Sequence, residues 1–167
     1  MKTDTSEQGL EALLVADMAA NGWIVGKASD YDREYAVDLV QLRAFLEATQ
    51  ADQVEALDLN SDSPTRRKFL ARLQGEITKR GVIDALRHGL KHGAHHFDLF
   101  YGTPSPGNTK AEERYAQNRF SITRQLRYSR DETKLSLDLG LFINGLPVAT
   151  FELKNSLTKQ TVDDAIE

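Results

Sequence analysis

Three ionisable side chains, Asp138, Glu152 and Lys154, stand in otherwise apolar surroundings near the C-terminal end of the chain. The stretches 135–143 and 148–154 read as two strands, and Asn144-Gly145 between them is a strong hairpin signal. A charge inside such a strand is costly unless it is paired or bound to metal. Side chains alternate along a strand, so Val148, Thr150, Glu152 and Lys154 share one face, while Ala149, Phe151 and Leu153 point into core. On the partner strand Asp138 shares a face with Gly140 and Phe142, and the hairpin lets it meet Glu152 laterally or diagonally. Gly140 leaves room beside it for a metal or a backbone to approach. Two carboxylates so arranged can hold Mg²⁺, with the Leu153 carbonyl as a further ligand and positions left for water and a phosphate oxygen. A bound cation acidifies water, and the Lys154 ammonium can orient that water and neutralise charge on phosphorus. Such a set can cut a phosphodiester. The same spacing also fits a hairpin whose polar face is merely wet, because acid-x13-acid-x-lysine recurs by chance. The apolar residues around the three charges make the strands look central rather than exposed.

Other elements must position this hairpin. Thr5 to Gln8 resembles a capping box, after which Leu10, Leu13, Leu14 and Met18 recur at helical spacing until Asn21-Gly22. Trp23 to Val25 reads as a short strand or buried turn, and residues 29–34 as a loop. A second helix is expected over roughly 36–48, and Asn60 to Pro64 is a turn. Residues 65–91 are helical in pattern, with a break expected at Gly75 or Gly81, and Phe69, Leu70, Leu73 and Ile77 form its apolar stripe. Phe97 to Tyr101 is a strand candidate and Gly102 to Asn108 a loop. Phe120, Ile122, Arg124, Leu126 and Tyr128 alternate with polar residues at strand period. A final helix begins at Thr161. Helices, then a three-stranded meander, then a helix describe an α/β fold, a mixed β-sheet flanked by helices.

At 167 residues the chain has the length of one domain, or of a domain cut from something longer. The absence of cysteine excludes a disulfide scaffold and any thiolate zinc site. No apolar run reaches membrane-spanning length and no signal-peptide pattern is present, so an intracellular, cytoplasmic protein fits. The net charge of -4 is unevenly spread. Residues 1–62 carry 13 acids and 4 bases, whereas residues 63–92 carry 8 bases and 2 acids. Residues 110–134 carry 7 bases and 4 acids. A polyanion would avoid the first third and favour the middle, unless the basic run is only a solvated helix face. Arg119, Arg124, Arg127, Arg130 and Lys134 flank the Asp138 strand and are candidates for phosphate contacts; Arg124, sharing a face with apolar residues, can instead be half buried and paired. All four histidines, His88, His92, His95 and His96, fall in nine residues. Three of them would share one face of a continuous helix, a zinc-competent spacing that Gly89 and Gly93 argue against.

Asp138, Glu152 and Lys154 match the signature of the PD-(D/E)XK nuclease superfamily. The longer strings Asn118-Arg119-Phe120, Arg124-Gln125 and LDLGLFINGLPVATFELKN, with Thr158-x-Gln160 and Ala165-Ile166 beyond, resemble the N-terminal nuclease domain of the restriction (R) subunit of type I restriction-modification enzymes. That resemblance implies a restriction-endonuclease-like core and Mg²⁺-dependent endonuclease activity on double-stranded DNA. Asp138 and Glu152 would be metal ligands and Lys154 the catalytic lysine, and Glu7 or Glu11 from the first helix could add a further acid. It also implies helicase-like motor domains that hydrolyse ATP in the same full-length chain, and modification and specificity subunits as partners. A non-catalytic assembly or DNA-guiding module that keeps the nuclease fold is the alternative. The chain departs from the pattern in two places. Leu137 precedes Asp138 where the superfamily motif has proline, and Gln160 has no tyrosine four residues on. No P-loop is present. The expectation is one endonuclease domain over residues 1–167, an N-terminal piece of a longer subunit cut inside its last helix.

Overall fold

The computed structural model describes residues 7–129, 131 and 135–154. Arg130, Lys134, the start of the expected capping box and the expected final helix lie outside the described residues.

Helix α1 (Glu7–Ala20) ends at Asn21-Gly22, where Gly22 takes a φ of 90° that suits glycine. Strand β1 (Ile24–Val25) follows, then the short antiparallel pair β2 (Tyr31–Asp32) and β3 (Val37–Asp38). Helix α2 (Leu39–Val54) begins at Asp38, whose carboxylate accepts the Gln41 N–H at 3.0 Å as an N-cap. Helix α3 (Pro64–Arg80) is capped by Ser63 and starts on proline. It runs through Gly75 and stops at Gly81, before α4 (Val82–His88). The hairpin β4 (Leu90–His92) and β5 (His95–Phe97) comes next. The strand expected over Phe97 to Tyr101 is therefore displaced: it ends at Phe97, and the backbone of Tyr101 is held by the Asn118 side chain instead of a ladder. Helix α5 (Thr109–Ala116) leads to β6 (Phe120–Leu126), β7 (Leu137–Ile143) and β8 (Leu146–Phe151).

The main sheet has the order β1-β6-β7-β8, with β1 parallel to β6 and the other pairs antiparallel. It is a mixed sheet flanked by helices, compatible with a restriction-endonuclease-like core. The Asn144-Gly145 turn has φ of 50° and 82°, the left-handed pair that a two-residue hairpin demands. Pro147 does not lengthen the turn; the register slips one residue between Leu141 and Phe142, which leaves Val148 as the extra residue of a bulge. Among the described residues β7 is an interior strand and β8 lies at the sheet edge, so only one of the two strands expected to be central is so placed.

Two apolar clusters hold the fold. The larger joins α2, α3, α4 and the β4–β5 hairpin through Phe45, Phe69, Leu70, Leu73 and Phe97, all fully buried, and reaches the sheet at Leu146. The smaller lies where α1 covers the sheet, and consists of Val15, Ile122 and Leu139 with Met18, Trp23, Leu141 and Leu153 around it. Of the stripe expected on α1, Met18 packs against the sheet, but Leu10 and Leu13 are 41% and 61% exposed, and the helix buries Glu11 and Val15 instead. The sheet meets α1 through the i, i+4, i+7 line Glu11-Val15-Met18, which a search for all-apolar stripes passes over because it carries a charge.

Candidate active site at the mouth of the β7–β8 pair

Strands β7 and β8 pair in the register Leu139↔Phe151 and Gly140↔Thr150. One further step in that register sets Asp138 across from Glu152. The ladder ends there, because the Leu153 N–H turns from the strand and donates to Asp138 Oδ2 at 2.6 Å. A ladder bond is exchanged for a charge-assisted one, and the carboxylate becomes fixed to the backbone that carries Glu152 and Lys154. The three residues expected to carry the chemistry thus gather at one end of the hairpin. Glu152 and Lys154 are exposed and Asp138 is half buried.

The charges feel one another. Partial desolvation and then the Asp138 carboxylate push the Glu152 carboxyl above its ordinary value; Lys154 pulls it back, and Glu7 adds a smaller upward push. A pair of like charges with a nearby ammonium is the donor set that a divalent cation would relieve, since the cation removes the repulsion that raises Glu152. The residues therefore fit a hard cation in chemical type. Among the described residues, no three His, Asp or Glu side chains are already drawn together as a metal cage.

The acid from the first helix arrives in an unexpected role. Glu11 is 2% exposed. Its Oε1 is paired with Arg124 Nε, and its Oε2 accepts from Gln125 Nε2 at 3.0 Å. The same Gln125 nitrogen faces Asp138 Oδ1 at 3.4 Å, and Gln125 Oε1 accepts from Ser136 Oγ at 3.4 Å. Gln125 is a neutral donor between two carboxylates. It can stand there because its backbone is left-handed, with φ of 47° inside a strand. Such a conformation is uncommon for a side chain without local hydrogen bonding and concentrates at functional sites. It also reverses the alternation of β6. Leu126, expected beside Arg124 on one face, lies against the Gly140 side of the sheet, where a Cβ on Gly140 would come within 2.8 Å of it. The room expected at Gly140 is thus filled by Leu126 and Phe142 rather than left open.

Of the expected phosphate-contacting residues, Arg124 takes the alternative role of partner to a buried acid. Arg119 sits at the opposite end of β6, where its Nε donates to Gln41 Oε1 at 2.7 Å and its N–H to Asn144 Oδ1 at 2.6 Å. Arg127 is exposed just beyond β6. Asn144 is fully buried and donates to the Leu99 carbonyl and to Asn118 Oδ1. Residues 118, 119 and 144 of the family-like strings are thus scaffold that ties the hairpin turn to α2 and the 99–101 segment. Sequence reading missed Gln125 as a site residue; the signal was an arginine-glutamine pair inside an otherwise apolar strand opposite Asp138.

The four histidines do not share a helix face. His88 ends α4 near Asp84, whereas His92 and His95 face each other across the β4–β5 pair. No helix among the described residues is long and apolar enough to cross a membrane.

Neither curated proteins nor solved structures gave a match to this chain. A family model does match, over residues 4–167, and its description is type I restriction enzyme R protein N terminus. With nearly the whole sequence covered, the residues at the mouth of β7 and β8 acquire a lineage as well as a geometry: the chain belongs to the family of type I restriction enzyme R protein N-terminal regions.

Proposed function

We propose that this chain is a Mg²⁺-dependent endonuclease domain that hydrolyses phosphodiester bonds of double-stranded DNA. The observation that carries the reading is the convergence of Asp138, Glu152 and Lys154 at one end of the β7–β8 pair, with Asp138 fixed by the Leu153 N–H. Family membership supports a nuclease-containing region at the coarser level.

In this reading Asp138, Glu152 and the Leu153 carbonyl hold the cation, which when bound acidifies water and steadies charge on the phosphate. Lys154 supplies an ammonium beside the scissile phosphate and orients the attacking water. Gln125 and the Leu153 N–H set the plane of the Asp138 carboxylate. Glu11, occupied by Arg124 and Gln125, acts as an anchor for that bridge. We further propose that residues 1–167 work as one domain of a longer subunit, whose motor domains use ATP to deliver DNA. Modification and specificity subunits would complete the complex.

The test is Lys154→Ala in an assembled restriction complex. The expected outcome is uncut DNA with ATP hydrolysis retained. Normal cutting would remove the catalytic reading and favour an assembly or DNA-guiding module. A companion titration of this chain with Mn²⁺ should show binding that Asp138→Ala abolishes; equal binding by both proteins would move the cation elsewhere.

A further inference from the structure

The basic run at 63–92 divides in the folded chain. Arg66 and Arg67 are tied to Asp62, and Arg80 is tied to Glu76 and Asp84. Lys68, Lys79, Arg87 and Lys91 have no carboxylate partner among the described residues. Two of these four converge. Lys68 and Arg72, one turn apart on α3, face Lys91, His92 and Gly93 of the β4–β5 hairpin across a cleft of about 470 Å³. Arg72 lies 3.1 Å from Glu76, but Glu76 also serves Arg80, so one acid is shared between two guanidinium groups. Among the described residues, no carboxylate lines the cleft. The positive field reaches the floor: burial first, and then Lys68 and Arg72, push the His92 imidazole below its ordinary value. His92 is held in place by an edge-on contact with Phe69, ring centroids 5.5 Å apart.

We propose that this cleft between α3 and β4 binds the phosphate backbone of duplex DNA, as a contact separate from the acidic site. The choice of DNA rests on the nuclease reading above. Three long cations around a concave floor suit phosphate oxygens, which a protein grips without reading sequence. Among the described residues no Phe, Tyr or Trp lines the cleft, so they offer no stacking platform of the kind that holds unpaired bases. The cleft belongs to the larger apolar core and the acids to the smaller one, so the two can fail independently.

The experiment is fluorescence anisotropy of a labelled DNA duplex with this chain, without divalent cation, over a series of salt concentrations. Lys68→Gln with Lys91→Gln is compared with Lys79→Gln with Arg87→Gln, which removes the same charge elsewhere. All four side chains are exposed, so both proteins should fold. The cleft variant should lose about tenfold or more in affinity at low salt. Its slope of log affinity against log salt should become shallower by roughly two, near 0.9 for each lost phosphate contact. The control should stay within about twofold, on the same counter-ion argument. Equal losses in both variants, or no binding by the unaltered chain at low salt, would overturn the proposal. Mn²⁺ titration separates the two readings. If the cleft variant loses DNA while Asp138→Ala still binds Mn²⁺, the cleft stands and the metal site falls. If Asp138→Ala loses Mn²⁺ while the cleft variant keeps DNA, the cleft falls and the metal site stands.

Discussion

The two apolar clusters of this chain do different work. The larger one packs fully buried aromatic and leucine side chains from three helices and a hairpin. The smaller one has three fully packed members, Val15, Ile122 and Leu139, and beside them a buried carboxylate, a left-handed glutamine and the acids of the site. Apolar burial scales with area, so the first supplies most of the stability. The second supplies geometry. A charge such as Glu11 stays in place there because its partners are fixed, and its partners stay fixed because α1 is docked. A site that must hold like charges together is built where the apolar contribution is small and the polar network is dense.

The largest effect expected from this contrast lies in the larger cluster. Phe69→Ala should cost about 3–5 kcal/mol, the loss of a fully buried ring plus the cavity it leaves. Val15→Ala, which removes two methyl groups from the smaller cluster, should cost about 1.5 kcal/mol at roughly 0.8 for each buried carbon. Urea unfolding of both proteins measures the pair. A cost for Val15→Ala as large as that for Phe69→Ala would mean that the smaller cluster carries more of the stability than its apolar area implies.

Within the smaller cluster the ion pair is asymmetric, and this gives the next effect. The Arg124 side chain is 45% exposed and the Glu11 side chain 3%. Removing Arg124 strands a buried carboxylate with Gln125 as its remaining donor, whereas removing Glu11 leaves a guanidinium that water can reach. Arg124→Ala should therefore cost on the order of 3 kcal/mol. Glu11→Ala should cost about 1 kcal/mol, close to the worth of ordinary hydrogen bonds. The reverse order in denaturant unfolding would show that Glu11 is solvated in solution.

The contrast also explains what could be read in the sequence. Apolar periodicity located the stripe of α3, and glycine narrowed its end to Gly75 or Gly81, of which Gly81 is the stop, because the larger cluster follows burial and local conformation alone. Asn144-Gly145 was legible for the same reason. The acid, acid and lysine were legible as types, and the register that pairs Leu139 with Phe151, carried one step on, sets Asp138 across from Glu152. The face of α1 was not. Leu10, Leu13 and Leu14 form the more apolar line, yet the sheet receives Glu11 and Val15, because Arg124 and Gln125 on β6 supply the partners that make a buried acid tolerable. Those partners lie more than a hundred residues away in the chain, and periodicity within a window carries no information about them. The left-handed Gln125 was equally hidden, since a strand alternation assumes extended backbone at every step.

Gln125 provides a smaller test, on the site itself. Gln125→Gly keeps the left-handed backbone, which glycine adopts freely, and deletes the amide that spans Glu11 and Asp138. If the amide orients Asp138, cation affinity should fall roughly fivefold, the loss of about one net hydrogen bond. The same change takes a donor from the buried Glu11 carboxylate, so stability should fall by about 1 kcal/mol beside it. Unchanged affinity would assign the orientation of Asp138 to the Leu153 N–H alone. In the unaltered chain, cation affinity should begin to fall at a higher pH than an ordinary glutamate would dictate, because Glu152 is raised by desolvation and by Asp138. A proton then competes with the metal earlier as pH falls. Asp138→Asn should bring Glu152 back toward its usual range, and a proton titration of Glu152 followed by NMR reads that directly.

The smallest effect concerns Asp38, a buried acid outside the site. Its Oδ1 caps α2, but its Oδ2 has no hydrogen-bond partner among the described residues, and the residue is 1% exposed. Burial pushes its carboxyl above the ordinary value; the Gln41 N–H opposes this, Asp30 adds to it, and the Val40 N–H and Arg119 oppose it further. A carboxyl raised on folding contributes stability that is fully present below its unfolded pKa and is lost as pH rises through the folded one. At neutral pH the charged form is thus a cost that Glu11, with its fixed cation, avoids. Asp38→Asn keeps a good cap and removes the charge. It should raise Tm at neutral pH, with the gain shrinking as pH falls toward the acid range. A variant less stable than the parent at every pH would mean that the carboxylate has a partner in solution, and that Asp38 and Glu11 are held by the same means.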